Sequence, residues 1–298
     1  MSEKHIDFKV NYSRLKVFAE YNTKDFLYPV VLSSPHSGRC FPEEFLANAR
    51  LSEKELRSSE DCFVDDLVLP ASEAGIPLIA MNLPRTFVDV SRDKIEIDDS
   101  MYFNPAETRA RRAQPAPRRC RVGLGVIHRA VAQTKNIYAG LISYDEVQER
   151  IKNVYDVYHK RLKQLVDRCY KKFGLCLLVD CHSMPAQICG IMNESKPIDF
   201  SFGTLFDESC PPELSSRLAQ SLEKYGYRVE FNRPYSGGFI TFNYCQPRKN
   251  IFTLQIEANR SLYMHENVYK KNPKFQEVSN NISESLVELG KFLLDFKK

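Results

Sequence analysis

The chain has 298 residues, 43% hydrophobic and 27% charged, with a formal net charge of +4. This balance is ordinary for a soluble globular protein, and no run approaches the ~18 uninterrupted apolar residues of a membrane span. The nine cysteines are odd in number, irregularly spaced and without a C-x-x-C pair. They therefore read as reduced thiols rather than a disulfide framework. Met1-Ser2-Glu3-Lys4-His5-Ile6-Asp7 lacks an apolar h-region, so the expected location is the cytoplasm.

In chain order, apolar runs predict strands over Tyr28 to Ser34, Ile76 to Leu83, Leu175 to Asp180, Phe239 to Tyr244 and Phe252 to Ala258. Between them, helical spacing predicts a helix from about Ser52 to Ala74 and a longer one from Ser143 to Phe173. The longer one has Ser143 as N-cap, Glu146 three residues on and Gly174 just past its end. Further helices are expected over Pro212 to Tyr225 and Val278 to Phe296. Alternating elements of this kind predict an α/β fold, a mixed and mostly parallel sheet with helices on both faces. With no repeat or low-complexity linker, residues 1–298 read as a single domain.

Two histidines stand where predicted strands end: His36, opening onto Ser37-Gly38, and His182, preceding Ser183-Met184-Pro185. Ligands of open α/β sheets bind beyond the carboxyl ends of the strands. A catalytic zinc typically takes three protein ligands from His and Asp/Glu and keeps one position open. The third ligand is sought in the acidic cluster Glu60-Asp61-Cys62-Phe63-Val64-Asp65-Asp66. Asp61 and Asp65, four apart in the predicted helix, would share a face, although such a pair is commonly just a solvated surface. Glu257 ends an otherwise apolar strand, where a carboxylate is costly to bury without a task or a partner. It is the candidate general base; the plainer reading pairs it with Arg260.

Four blocks carry a resemblance: Pro35-His36-Ser37-Gly38, Asp180-Cys181-His182-Ser183-Met184-Pro185, Asn232 to Thr241, and Leu254 to Met264. With Gly123-Leu124-Gly125-Val126-Ile127 and Ile137-Tyr138, they make the chain similar to the N-formylglutamate amidohydrolase family over roughly residues 28–266, leaving 267–298 for a C-terminal helix. The resemblance implies a metal-dependent hydrolase with a fold similar to zinc carboxypeptidases. Its reaction would release formate from N-formyl-L-glutamate, or act on a similar N-acyl amino acid, in histidine degradation. It further implies His36, His182 and Asp61 as ligands of one divalent ion, zinc first, with Asp65 second choice, and Glu257 as base. Arg85, Arg92, Arg233 and Arg260 become candidates for substrate carboxylates, since Arg pairs bidentately with them; the plainer reading has one of Arg85 and Arg92 anchor Asp89. Gly237-Gly238 resembles a close-approach loop beside substrate. The chain departs from the family at Ser91, commonly Asn, and at His128, commonly Pro.

Three other readings compete. A related zinc deacylase or carboxypeptidase-like hydrolase would use the same residues on another N-acyl amino acid or peptide. A cysteine hydrolase would need Cys181 beside His182, yet neighbours on a strand point to opposite faces. A nucleic-acid or partner-binding protein would act through Arg109 to Arg121, six arginines around two prolines, although no nucleic-acid motif accompanies them.

Overall fold

A computed structural model describes residues 5–6, 8–103, 118–131, 135–191 and 197–296. Most of the Arg109–Arg121 segment lies outside the described residues. Among them, no helix is long and apolar enough to cross a membrane. The contacts divide the chain into two compact units, one of Met1–Ala19, His36–Glu60 and Met81–Arg161, the other of Glu20–Pro35, Asp61–Ala80 and Leu162–Lys298.

A seven-stranded sheet is built from β1 (Phe18–Tyr21), β2 (Val30–Ser34), β3 (Leu78–Met81), β4 (Cys176–Met184), β5 (Phe200–Gly203), β6 (Val229–Phe231) and β7 (Ile251–Asn259). Their order across the sheet is β6-β5-β7-β4-β2-β3-β1. The pairs β6–β5, β7–β4, β4–β2 and β2–β3 are parallel, and β7–β5 is antiparallel. This is the expected α/β architecture with a mostly parallel sheet.

Alternation along the strands sorts the side chains into two faces. On one, Val30 and Leu32, Leu177, Val179 and Cys181, and Phe252, Leu254 and Ile256 join a single buried apolar cluster. Helices α1 (Val64–Glu73), α4 (Pro212–Glu223) and α6 (Phe275–Leu294) close it, packing their buried stripes of Leu67, Leu218 and Leu286 against it. On the other face the same strands carry Ser33, Asp180, His182, Thr253, Gln255 and Glu257, all buried. There the short α5 (Phe239–Tyr244) packs on β7 and β4, and the Thr253 hydroxyl donates to the Thr241 carbonyl at 2.6 Å.

In the other unit, Arg150 is fully buried at the end of α2 (Tyr144–Arg150). Its guanidinium lies 4.2 Å from the Phe87 ring centroid and 4.6 Å from that of Phe8. It donates to Glu146 at 2.7 Å and to the Tyr138 hydroxyl at 2.9 Å, which satisfies a charge that burial alone would not tolerate.

Three expectations are corrected. Phe239–Tyr244 is a helix rather than a strand. A short apolar run does not distinguish the two, but its buried positions Ile240, Thr241 and Tyr244 keep helical spacing. The helix expected over Ser52 to Ala74 is interrupted: a capped turn at Glu53–Leu56 ends, Phe63 takes a left-handed conformation (φ 64°), and α1 starts at Val64. The helix expected over Ser143 to Phe173 is capped by Ser143 and followed by Gly174 in a left-handed conformation. It runs as α2, then a π segment over Ile151–Tyr155, then α3 (Asp156–Phe173).

Candidate metal centre and active site

His182 sits near the carboxyl end of β4, on the polar face. Two residues earlier, on that face, Asp180 meets its Nε2 at 2.9 Å. Ser33 of β2, in register with Asp180, donates its hydroxyl to the other Asp180 oxygen at 3.2 Å. The second ring nitrogen, Nδ1, lies 3.0 Å from Asp61 Oδ2. Asp61 precedes α1 instead of lying on it, so it shares no helix face with Asp65. Its Oδ1 accepts from Arg260 Nη2 at 3.0 Å, and Arg260 Nε donates to the Ser183 hydroxyl at 3.0 Å.

Glu257 is directly opposite His182 in the β7–β4 register. Gln255, two residues back on the same face, donates its Nε2 to Glu257 Oε1 at 2.6 Å. Burial pushes the Glu257 carboxyl up to about 7; Asp61 adds to that rise, while His182, Gln255 and Arg260 oppose it. His182 moves in the sense its carboxylates dictate. Burial opposes its charged form, yet Asp180, Asp61 and Glu257 together hold it well above the ordinary histidine range. Three buried carboxylates thus face one imidazole and the Arg260 guanidinium.

His36 follows β2 by one residue, Pro35. Its Nε2 lies 2.8 Å from Asp89 Oδ1. The chain beyond it runs so close to residues 82–83 that a Cβ on Gly38 would lie 2.0 Å from the Leu83 carbonyl oxygen, which explains the glycine. Asp89 Oδ1 also accepts the Ser91 amide at 2.9 Å. Asp89 Oδ2 accepts Arg85 Nη2 at 2.7 Å and Nε at 3.2 Å, with His128 Nε2 3.0 Å away. Against burial, Arg85, His36 and Arg92 hold Asp89 well below the usual carboxylate range.

Each histidine therefore engages a buried carboxylate through Nε2, an arrangement that orients the ring and presents Nδ1 as the ligand atom. Ligand atoms of His36, Asp61 and His182 all lie within 4.8 Å of one another. Two nitrogens and one carboxylate are the donor set of a catalytic zinc, and the excess of buried negative charge around His182 is what a cation would neutralise. The residues present fit the metal.

The other predicted residues fall as follows. Arg85 is committed to Asp89 and also reaches the Ser59 carbonyl at 3.5 Å. Among the described residues, Arg92 donates to the carbonyls of Leu124 and Ser91, each at 3.2 Å, and burial lowers its pKa. Glu60 pairs with Arg57 at 2.7 Å, and Asp65 is half-buried outside the His–Asp–His cluster. The Arg233 side chain is exposed, while its carbonyl accepts the Ser201 hydroxyl at 2.7 Å. At Gly237 (φ 131°) a Cβ would meet Leu205 Cδ2 at 2.7 Å. Cys181 belongs to the apolar face opposite His182, and burial raises its thiol pKa, so it has the environment of an inert core thiol.

Sequence reasoning missed the partner carboxylates. Asp180 was findable from its i, i+2 relation to His182 on a strand. Asp89 was visible only as an anchor for an arginine, and its tie to His36 spans 53 residues.

Fold and cluster together define an α/β protein with a candidate metal centre toward the carboxyl ends of its central parallel strands. More particularly, the chain belongs to the N-formylglutamate amidohydrolase family, whose model matches residues 28–264. It is 27% identical over 241 residues to an N-formylglutamate deformylase of Pseudomonas putida, a match covering 80% of this chain and 82% of the relative. The crystal structure of N-formylglutamate amidohydrolase from Ralstonia eutropha JMP134 superposes with a TM-score of 0.85 at 28% identity, covering 94% of this chain and 99% of that one. The gene product Atu2144 from Agrobacterium tumefaciens shares the fold at 14% identity, with a TM-score of 0.61 and coverage of 94% and 98%.

Proposed function

We propose that this protein is a metal-dependent amidohydrolase that cleaves the formyl amide of N-formyl-L-glutamate, releasing glutamate and formate. The observation that carries the reading is the buried His36–Asp61–His182 cluster, ligand atoms within 4.8 Å, with Glu257 in register beside His182. Family membership and the names of the relatives support the substrate. Histidine degradation is the expected context, and the cytoplasm the expected location.

His36, Asp61 and His182 would hold the ion, zinc being the first expectation. Such an ion supplies Lewis-acid polarisation of the formyl carbonyl and lowers the pKa of water. Glu257 takes the proton of the attacking water and passes it to the leaving amide nitrogen, so that the C–N bond breaks to a free amine. Its burial, which raises the carboxyl above the usual range, favours a group that can hold a proton before passing it on. Arg260, donating to Asp61 Oδ1, holds that carboxylate with its Oδ2 toward His182. Arg92, whose hydrogen bonds among the described residues go to carbonyls, has charge to offer a substrate carboxylate, and Gly237-Gly238 would let backbone approach the substrate closely.

One observation favours a second reading on substrate. Arg85 is tied up by Asp89, which leaves fewer cations for a dicarboxylate and keeps another N-acyl amino acid in view. Metal analysis of the purified protein, followed by formate release from N-formyl-glutamate and a panel of N-formyl and N-acetyl amino acids, tests both. A metal-free active enzyme would sink the mechanism, and a preference for a neutral N-acyl amino acid would replace the substrate.

A further inference from the structure

Among the described residues, the Asp89 carboxylate has four hydrogen-bond partners, one of them the Arg85 guanidinium. Arg85 grips Oδ2 through two nitrogens, while His36 and the Ser91 amide share Oδ1. The fourth partner is His128, 1% exposed, with Nε2 3.0 Å from Oδ2. An acceptor-only carboxylate requires that this nitrogen carry the proton. Nδ1 of His128 has no hydrogen-bond partner among the described residues. A buried nitrogen without a partner costs stability, and it is tolerated more readily as a bare lone pair of a neutral ring than as the second N–H of an imidazolium. Burial pushes His128 down to about 4, in keeping with that ring state.

We propose that His128 is a positioning residue for His36, acting through Asp89: a neutral Nε2–H imidazole that fixes the carboxylate plane, so that Oδ1 meets His36 Nε2 and His36 Nδ1 is left as the ligand atom. Arg85 supplies the largest counter-charge, with Arg92 adding to it, but both Arg85 hydrogen bonds fall on one oxygen. His128 approaches Oδ2 as a second donor beside Arg85, and it adds a restraint on rotation of the carboxylate about its Cβ–Cγ bond. A ligand histidine whose partner carboxylate turns away loses its preferred tautomer and orientation, and such losses typically weaken metal binding by about 10–100-fold.

The zinc part of the test rests on the metallohydrolase reading, and the tautomer part does not. Two variants are compared with the unaltered protein: His128→Leu, which removes the donor, and His128→Gln, whose side-chain N–H replaces it. Zinc affinity is measured by chelator competition. Long-range ¹H–¹⁵N correlation of the six histidines in metal-free protein reads their tautomers. His36 is expected as a single Nε2–H tautomer in the unaltered protein and in His128→Gln. In His128→Leu it becomes a mixture, and zinc binds about 10–100-fold more weakly. A pure His36 Nε2–H tautomer in His128→Leu overturns the proposal, as does undiminished zinc affinity. Unaltered protein that binds no zinc ends the metallohydrolase reading, and the tautomers still decide the role of His128. If His128→Leu does not fold, His128→Met, which also lacks a donor, takes its place under the same criteria.

Discussion

Glu257 and His182 stand side by side in the parallel register of β7 and β4, both turned away from the apolar layer. The two strands lie far apart in sequence, yet the sheet brings proposed base and proposed ligand to neighbouring positions on one face. The chemistry proposed for the centre follows from that adjacency.

The ligand set makes the first prediction. His182→Ala and His36→Ala should each purify without stoichiometric metal and release no formate. The circular dichroism spectrum should stay close to that of the unaltered protein, because the apolar face is untouched. Full occupancy by elemental analysis in either variant would remove that histidine from the set.

Glu257→Gln keeps the shape and removes the proton acceptor. Metal content should be retained while kcat falls by about 10²–10⁴-fold, the usual scale for loss of a general acid–base group. Near-normal turnover would reduce Glu257 to a partner of Gln255 and Arg260.

The two arginines should separate. Arg92→Met should cost an acidic substrate much more kcat/KM than it costs an N-formyl aliphatic amino acid, since a lost charged hydrogen bond is worth about 2–5 kcal/mol. Arg85→Met should impair both substrates alike, because Arg85 is bound to Asp89. Parallel losses for both variants on both substrates would mean that neither arginine reads the substrate charge.

His128 carries a pH signature. Its folded pKa, about 4, lies below the ordinary histidine value of 6.5. The unfolded chain therefore takes up this proton first as pH falls. The stabilisation is present in full above about 6.5 and is lost between there and about 4. A shift of this size corresponds to roughly 3 kcal/mol at 1.36 kcal/mol per unit. In urea melts of metal-free protein at pH 7, 5.5 and 4.5, the unaltered protein should lose stability relative to His128→Gln as the pH drops. Parallel curves would show that His128 is not held neutral by its burial.

The legible part of this fold was the part written in local periodicity. The apolar runs around Val30, Leu177 and Leu254 announce strands, and the histidines at their ends announce a centre. β5 and β6 escape the sequence pattern, since Phe200–Gly203 and Val229–Phe231 are too short to show one and owe their conformation to pairing with each other and, for β5, with β7. Asp61, which the family resemblance points to, lies with both histidines, whereas the helix face expected to join it to Asp65 is absent because Asp61 precedes α1. Its position comes from long-range bonds to His182 and Arg260, spanning 121 and 199 residues. His128 stood out in the sequence as an unusual residue, but only the Asp89 contact gives it a role.

The sorting of side chains on β4 also works as a gauge of correct assembly. His36 and His182 come from neighbouring parallel strands, aligned by the Ser33–Asp180 register. A slip of one residue in β4 would exchange the faces, turning Cys181 toward the centre and His182 into the hydrocarbon layer. Any ion held by both histidines can be captured only after these distant segments have paired in the right frame. Metal uptake during refolding would then serve as a clock for the slowest, least local step of building the sheet.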